Sequence, residues 1–387
     1  MSNILDYLDW RGDLTMAQAP FNEVDNLILT ELAYLKLQGV VPPVGTGERI
    51  LLREAARQFF ALAEREPERR KMGVLLPEGI LTLLKQAAES RRFGEMGLSC
   101  YAEHLDTRMV EQFAALSFEV DRSTVYLAFR GTDDTIAGWK EDFLMACQPV
   151  VPAQRHAQRY VRVVAKQYPR RKLMLGGHSK GGNLATYAGI FAPQAIQRRI
   201  CAIWSNDGPG FQETLLEREE HRRVAGRIHT TVPKSSVVGM LLEHEEDYQV
   251  VDSDQKGLLQ HDGLSWQVKG DHFIHLREVT RQSRLGDRAL RQWLYALPVE
   301  QRGRLVDALF EVLTASGAET LTELQADRLK TAVSMVRSLA DLDSETREGL
   351  GRLLTLLLRS GAQVLMEELH AEGEKRTRKW TERERKA

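Results

Sequence analysis

The chain has 387 residues, 43% hydrophobic and 28% charged, which suits one large folded domain with additions, or two domains, and excludes a disordered or fibrous protein. Lysine and arginine number 53 against 54 for aspartate and glutamate, so the formal net charge of −1 exerts no global pull toward nucleic acid or an anionic membrane. The three cysteines, Cys100, Cys147 and Cys201, are scattered and lack C-x-x-C spacing, as expected of reduced thiols in a cytoplasmic protein.

Met1 to Thr15 carries Asp6, Asp9, Arg11 and Asp13 among its apolar residues, unlike the basic start and unbroken apolar run of a secretory signal. From Phe21 to Leu37, Val24, Leu27, Ile28, Leu32 and Leu35 recur at helical spacing, with Asn22 or Asp25 available as a cap. Pro42, Pro43, Gly45 and Gly47 end that stretch, and two more helical stretches follow, from about Glu48 to Glu64 and from Leu76 to Ala87. Together they predict a helical preface to the main domain.

Between Gly97 and Arg130 three short runs, Leu98 to Glu103, Glu111 to Val120 and Thr124 to Arg130, are rich in Val, Leu, Phe and Tyr and separated by polar turns, the pattern of a sheet that begins with hairpins. A helix from Gln154 to Gln167, an apolar run from Lys172 to Gly176, a helix from Gly182 to Phe191 and an apolar run from Ile200 to Ser205 come next. Strand and helix by turns imply right-handed crossovers and a parallel sheet. After about Phe273 the chain turns to amphipathic helices rich in Arg, Glu and Leu, closing on the charged run Glu372 to Ala387. The apolar stretch Leu350 to Leu369 is interrupted by Arg352, Arg359, Glu367 and Glu368, so it predicts a packing helix rather than a membrane span. Its stripe of Leu350, Leu353, Leu354, Leu357 and Leu358 needs a covering partner.

Leu173 to Ala185 joins an apolar strand to a helix through Gly177-His178-Ser179-Lys180-Gly181, a G-x-S-x-G. That pattern puts a serine on a sharp strand-to-helix turn, where side chains at the glycine positions would collide with neighbouring backbone. The helix start beside it supplies free N–H groups and positive dipole, which favour an oxyanion, and the Lys180 N–H is the first donor expected. By itself the pattern also fits a glycine-rich turn or a phosphate-binding loop.

Upstream, Val125 to Asp134 contains Phe129-Arg130-Gly131-Thr132, and Trp139-Lys140-Glu141-Asp142 follows. With the elbow, these elements resemble the class 3 lipase branch of the α/β-hydrolases, over roughly Gly97 to Gln267, and within it a bacterial group of lipase-like hydrolases. Together with the periodicity read above, the resemblance implies an α/β-hydrolase fold with a mainly parallel central sheet, an N-terminal helical preface and a C-terminal helical extension. It divides the chain into a helical region over 1–95, a hydrolase core over 96–275 and a helical region over 276–387. It also implies that Ser179 is the nucleophile, that Thr132 is a second oxyanion donor through its N–H and hydroxyl, and that Trp139 and Asp142 brace the loop.

Chain order in such enzymes is nucleophile, acid, base, which places the base after Ser179. His261 stands in a segment similar to the H-x-x-x-x-W ending of lipase-like domains and is the expected base, with His244, His272 and His275 as rivals. His229 is expected on a strand and His178 packed against the sheet. The acid departs from the pattern: Val232 to Gly239 carries serine where class 3 lipases carry aspartate. Asp207, at the end of the strand after the elbow helix, is the candidate, although its Asp-Gly-Pro context also makes a good turn. Asp252 and Asp254 are held in reserve.

These residues imply a serine hydrolase cleaving a small-molecule or lipid ester, with no metal or organic cofactor. An inactive hydrolase fold serving as an interaction scaffold is the alternative, and acyl transfer to an acceptor other than water is a third.

Overall fold

The computed structural model describes residues 2–71, 73, 79–242, 244, 247–280, 297–326 and 328–351. Helices α1 (Ile4–Arg11) and α2 (Glu23–Leu32) lead to a short strand β1 (Ile50–Leu51), then α3 (Leu52–Arg65) and α4 (Gly79–Glu89). Strands β2 (Gly97–Asp106), β3 (Glu111–Glu119) and β4 (Thr124–Phe129) follow, then α5 (Ile136–Met145), α6 (Pro152–Gln167), β5 (Lys172–His178), α7 (Lys180–Ile190), β6 (Ile200–Asn206), β7 (Ile228–Pro233) and β8 (Tyr248–Val251). The short strands β9 (Val268–Lys269), β10 (His272–Phe273) and β11 (His275–Leu276) close this part of the chain.

Among the described residues nine strands form one sheet in the order β1-β2-β3-β4-β5-β6-β7-β8-β11. β2, β3 and β4 pair antiparallel as the hairpins predicted, β4 through β8 run parallel, and β11 returns antiparallel on β8. β9 pairs with β10 in a separate two-stranded ribbon. The fold is an α/β-hydrolase fold, and its central strands are largely buried because helices cover both faces.

One face packs against α6 and α7, where Ala157, Val161, Leu184 and Ala188 meet Leu127, Leu173 and Leu175. The other packs against the N-terminal helices, where Leu27, Ile28, Phe59 and Leu84 join Tyr126 and Ala128. The helices predicted as a preface are thus the second outer layer of the sandwich. Periodicity predicts one apolar stripe on α2, yet every residue from Val24 to Leu32 is buried, with Asp25, Asn26, Thr30 and Glu31 among them. Asp25, Asn26 and Thr30 are sunk with hydrogen-bond partners, whereas Glu31 Oε1 is buried without one. Asn26 Nδ2 donates to Asn206 Oδ1 at 2.9 Å and its Oδ1 accepts from the Tyr126 hydroxyl at 2.6 Å, tying α2 to β4 and β6.

Asp25 is bound in the same spirit. It pairs with Arg92, accepts from the Tyr7 hydroxyl at 2.9 Å, and leaves the guanidinium free to reach Leu14 O, Ala19 O and Pro20 O. Both side chains are inaccessible to solvent.

On the far side of α5 the helix Val299–Thr314 buries Leu305, Leu309 and Phe310, with the Phe310 ring 5.6 Å from that of Phe143. Lys140 pairs with Asp307 at 2.7 Å. The segment before the next helix pairs with the start of α5: Thr135 bridges Thr320, Ile136 N–H donates to Glu319 O at 2.9 Å, and Leu321 N–H donates to Asp134 O at 3.0 Å. Leu350 is buried; Leu353, Leu354, Leu357, Leu358, most of the predicted packing helix and the charged tail lie outside the described residues. No described helix is long and apolar enough to cross a membrane.

Breaking a fully buried ion pair by removing one partner leaves an uncompensated charge, which costs about 3–5 kcal/mol. Arg92→Met is therefore expected to lower the unfolding free energy by about that amount, measured by urea denaturation; a loss below about 1 kcal/mol would show that the Arg92–Asp25 pair does not hold the N-terminal layer.

Candidate active site

β5 passes into α7 through one residue. Ser179 has φ 57° and ψ −134°, a left-handed conformation that costs a non-glycine residue of order 1–3 kcal/mol and persists only where the surroundings enforce it. A Cβ on Gly177 would lie 2.1 Å from the Gly181 carbonyl carbon, and one on Gly181 would lie 2.1 Å from Phe129 O, so both positions require glycine. Ser179 N–H donates to Asn206 O at 2.9 Å and its carbonyl accepts from Gly182 N–H at 2.9 Å. The turn is thereby held to the end of β6 on one side and to α7 on the other.

Lys180 opens α7, so its N–H has no acceptor within the helix. Thr132 lies just beyond the end of β4. A Cβ on the preceding Gly131 would stand 2.6 Å from His178 O and 3.1 Å from Ser179 Cβ, which places the Thr132 loop directly against the elbow. The Thr132 hydroxyl donates to Asp142 Oδ2 at 2.5 Å. Burial raises the Asp142 carboxyl to about 6, against the pull of Lys180 and of the Thr132 hydrogen bond.

Asp207 follows β6 and is fully buried, itself at a positive φ of 48°. Its Oδ2 lies 2.6 Å from His261 Nδ1. Oδ1 accepts from the Ser236 hydroxyl at 2.5 Å and from Gly239 N–H at 3.1 Å. A carboxylate oxygen only accepts, so His261 Nδ1 is the donor, and the neutral tautomer that fits has its lone pair on Nε2. The segment Val232 to Gly239, with serine in place of the expected aspartate, therefore contributes two donors to the carboxyl of Asp207, which follows the neighbouring strand.

His178 seats the His261 loop. Its Nε2 lies 2.7 Å from His261 O, which fixes the hydrogen on Nε2 and leaves Nδ1 to accept from the Tyr34 hydroxyl at 3.0 Å. The two imidazole centroids are 4.6 Å apart. Glu31 Oε1 stands 3.6 Å from His178 Nδ1, and burial, with the charge of Asp262 second, holds the Glu31 carboxyl well above its usual range. Burial, with His261 second, holds His178 down at about 3.

The structure brings Ser179, Lys180, Thr132, Asp207 and His261 to one edge of the sheet and gives the rivals other partners. His275 bonds Glu23 at 2.8 Å, His272 bonds Asp271 at 3.1 Å, and His229, on β7, stacks on Trp204 with centroids 4.4 Å apart. His244 Nε2 lies 2.8 Å from Gly239 O. Asp252 is paired with Lys234, and Asp254 N–H donates to Ser265 O at 3.1 Å. Among the described residues no three His, Cys, Asp or Glu side chains are placed to hold a metal ion. Sequence reasoning missed Tyr34, Glu31, Ser236, Gln112 and Glu141. The one available signal was Lys180 itself, a cation set in an otherwise apolar and glycine-rich stretch.

An elbow of this build on a mainly parallel sheet defines a lipase-like α/β-hydrolase fold. The chain belongs to the Mbeg1-like family, whose profile matches residues 87–311. Among solved structures it is similar to the native propeptide complex of Rhizomucor miehei lipase, at 14% identity over 53% of this chain and 67% of that one, with a TM-score of 0.32. It is also similar to a triacylglycerol lipase described as having a serine protease triad at its catalytic centre, at 16% identity over 59% and 78% of the two chains, TM-score 0.34. A lipase from Rhizopus microsporus var. chinensis matches at 14% identity over 55% and 78%, TM-score 0.29. No curated protein matches the chain.

An unfolded chain protonates His178 near its ordinary value of 6.5, whereas the folded protein keeps it neutral down to about 3. Below pH 6.5 the unfolded state thus binds the extra proton, and stability falls as pH falls, by up to about 1.4 kcal/mol per unit. Between pH 6.5 and 5 the wild type is expected to lose up to about 2 kcal/mol that His178→Gln does not lose, measured by urea denaturation at each pH; equal slopes in the two proteins would disprove it.

Proposed function

We propose that the protein is a serine hydrolase that cleaves carboxylic esters, with lipid or lysolipid esters as the substrate class. The observation that carries this is the Asp207–His261 hydrogen bond, 2.6 Å long, in a loop seated on the residue that precedes Ser179. His261 Nε2 takes the proton of Ser179 as Oγ attacks the ester carbonyl carbon. The carbonyl oxygen becomes negative and is met by the N–H groups of Lys180 and Thr132. Asp207, steadied by Ser236 and Gly239, stabilises the imidazolium.

His261 then gives its proton to the departing alkoxide, and the alcohol leaves an acyl group on Ser179. Water attacks the acyl carbon while His261 takes one of its protons, and return of that proton to Ser179 releases the carboxylic acid. The unpaired thiols of Cys100, Cys147 and Cys201 support a cytoplasmic setting.

Purified protein is expected to react with a fluorophosphonate probe and to hydrolyse p-nitrophenyl esters. Ser179→Ala should lose labelling altogether, and His261→Ala should fall at least about 1,000-fold in kcat/KM. Asp207→Asn should keep its fold and lose on the order of 100- to 10,000-fold. A well-folded wild type that neither labels nor hydrolyses would reject the hydrolase and favour the interaction scaffold.

A further inference from the structure

The side chain of Lys180 is enclosed by the protein, and the residue is only 1% exposed. Its Nζ donates to Gln112 O at 3.0 Å, Gln112 Oε1 at 2.7 Å and Glu141 Oε2 at 3.2 Å. An ammonium has three hydrogens, so all of them are used inside the protein. Glu141 is equally buried. Its Oε1 accepts from Ala153 N–H at 2.8 Å and its Oε2 from Gln112 N–H at 3.0 Å, which welds α5 to β3 and to the start of α6. The remaining member is Asp142. Its Oδ1 is buried without a hydrogen-bond partner and lies 3.8 Å from Lys180 Nζ, while Oδ2 holds the Thr132 hydroxyl.

A threonine hydroxyl has one hydrogen to give. While Asp142 is ionised it can only accept, so that hydrogen is committed to Oδ2 and Thr132 offers the reacting oxygen its N–H alone. A protonated Asp142 can instead donate to Thr132 Oγ1, and the hydroxyl hydrogen of Thr132 is then released to turn toward Ser179.

We propose that Lys180 is a positioning residue acting through Asp142: its buried ammonium keeps Asp142 an acceptor, and so decides whether the Thr132 hydroxyl is tied to Asp142 or free to meet the oxygen that becomes negative. The catalytic consequence rests on the hydrolase assignment; the charge relation between residues 180 and 142 does not. The titratable groups facing Asp142 are Lys180 from α7, Glu141 from its own helix, His261 from the loop beyond β8 and the Tyr34 hydroxyl from the segment after α2. Burial pushes Asp142 up, Lys180 and the Thr132 bond pull it down, Glu141 pushes it up and His261 pulls it down, leaving it at about 6. It therefore changes charge within the working range of a neutral enzyme.

The test follows the Asp142 carboxyl by 13C NMR in full-length protein labelled at aspartate, with Asp142→Asn for assignment. Lys180→Met removes the cation and is expected to move the Asp142 midpoint up by about one pH unit or more. Glu141→Gln removes the opposing anion with little change in shape and is expected to move it down, which keeps the test alive should Lys180→Met fail to fold. In parallel, fluorophosphonate labelling rates of wild type and Thr132→Val are compared at pH 5.5 and pH 8. Their ratio cancels the titration of His261, and the penalty for losing the hydroxyl is expected to be several-fold larger at pH 5.5. An Asp142 midpoint unmoved in every folded variant, or a Thr132→Val penalty equal at both pH values, overturns the proposal. A wild type that does not label defeats the hydrolase assignment instead, and the NMR midpoints then decide the charge relation alone.

Discussion

The passage from β5 to α7 takes a single residue and leaves no space for a Cβ at Gly177 or Gly181. That constraint has two sides. The close approach of Gly181 to Phe129 O brings the end of β4, and with it the Thr132 loop, against the start of α7. Ser179 takes its positive φ at the end of β5, beside the end of β6 that delivers Asp207. Strain at one residue is thus the geometric condition for three chain segments to meet, and the hydrogen bonds of Ser179 to Asn206 O and from Gly182 N–H are what sustain it.

Around that point the protein buries polar groups on both faces of the sheet. On the α2 side Tyr34 and His178 form a chain that ends on the backbone of His261, with Glu31 alongside. On the α5 side Lys180, Glu141 and Gln112 form a second. Burying such groups costs several kcal/mol unless each finds a partner, and networks that do find them hold side chains in one arrangement. The two networks act on different parts of the site: one seats the loop of the proposed base, the other the loop of the proposed oxyanion donors.

Much of this was legible in the sequence where chemistry is local. The glycines about Ser179 and the apolar runs on either side specify strand, turn and helix within a dozen residues, and the hairpins before them show by alternation and polar turns. Asp207 was open between an acid and a turn residue, because Asp-Gly-Pro serves both and only the fold brings His261 to it. Ser236 was visible only as a missing aspartate, since its donation to Asp207 joins residues 29 apart, in the segments that follow two neighbouring strands. The N-terminal helices were read as a preface for a related reason. Buried Asp25, Asn26, Thr30 and Glu31 blur the apolar period of α2, and the partner of Asn26 lies 180 residues downstream.

The short antiparallel pairing of Thr135 with Thr320 joins the distal helices to the loop that carries Thr132 through main-chain atoms on both sides. A backbone tether is indifferent to which side chains flank it. Substitutions in the distal helices that keep this pairing therefore leave the junction with the Thr132 loop in place.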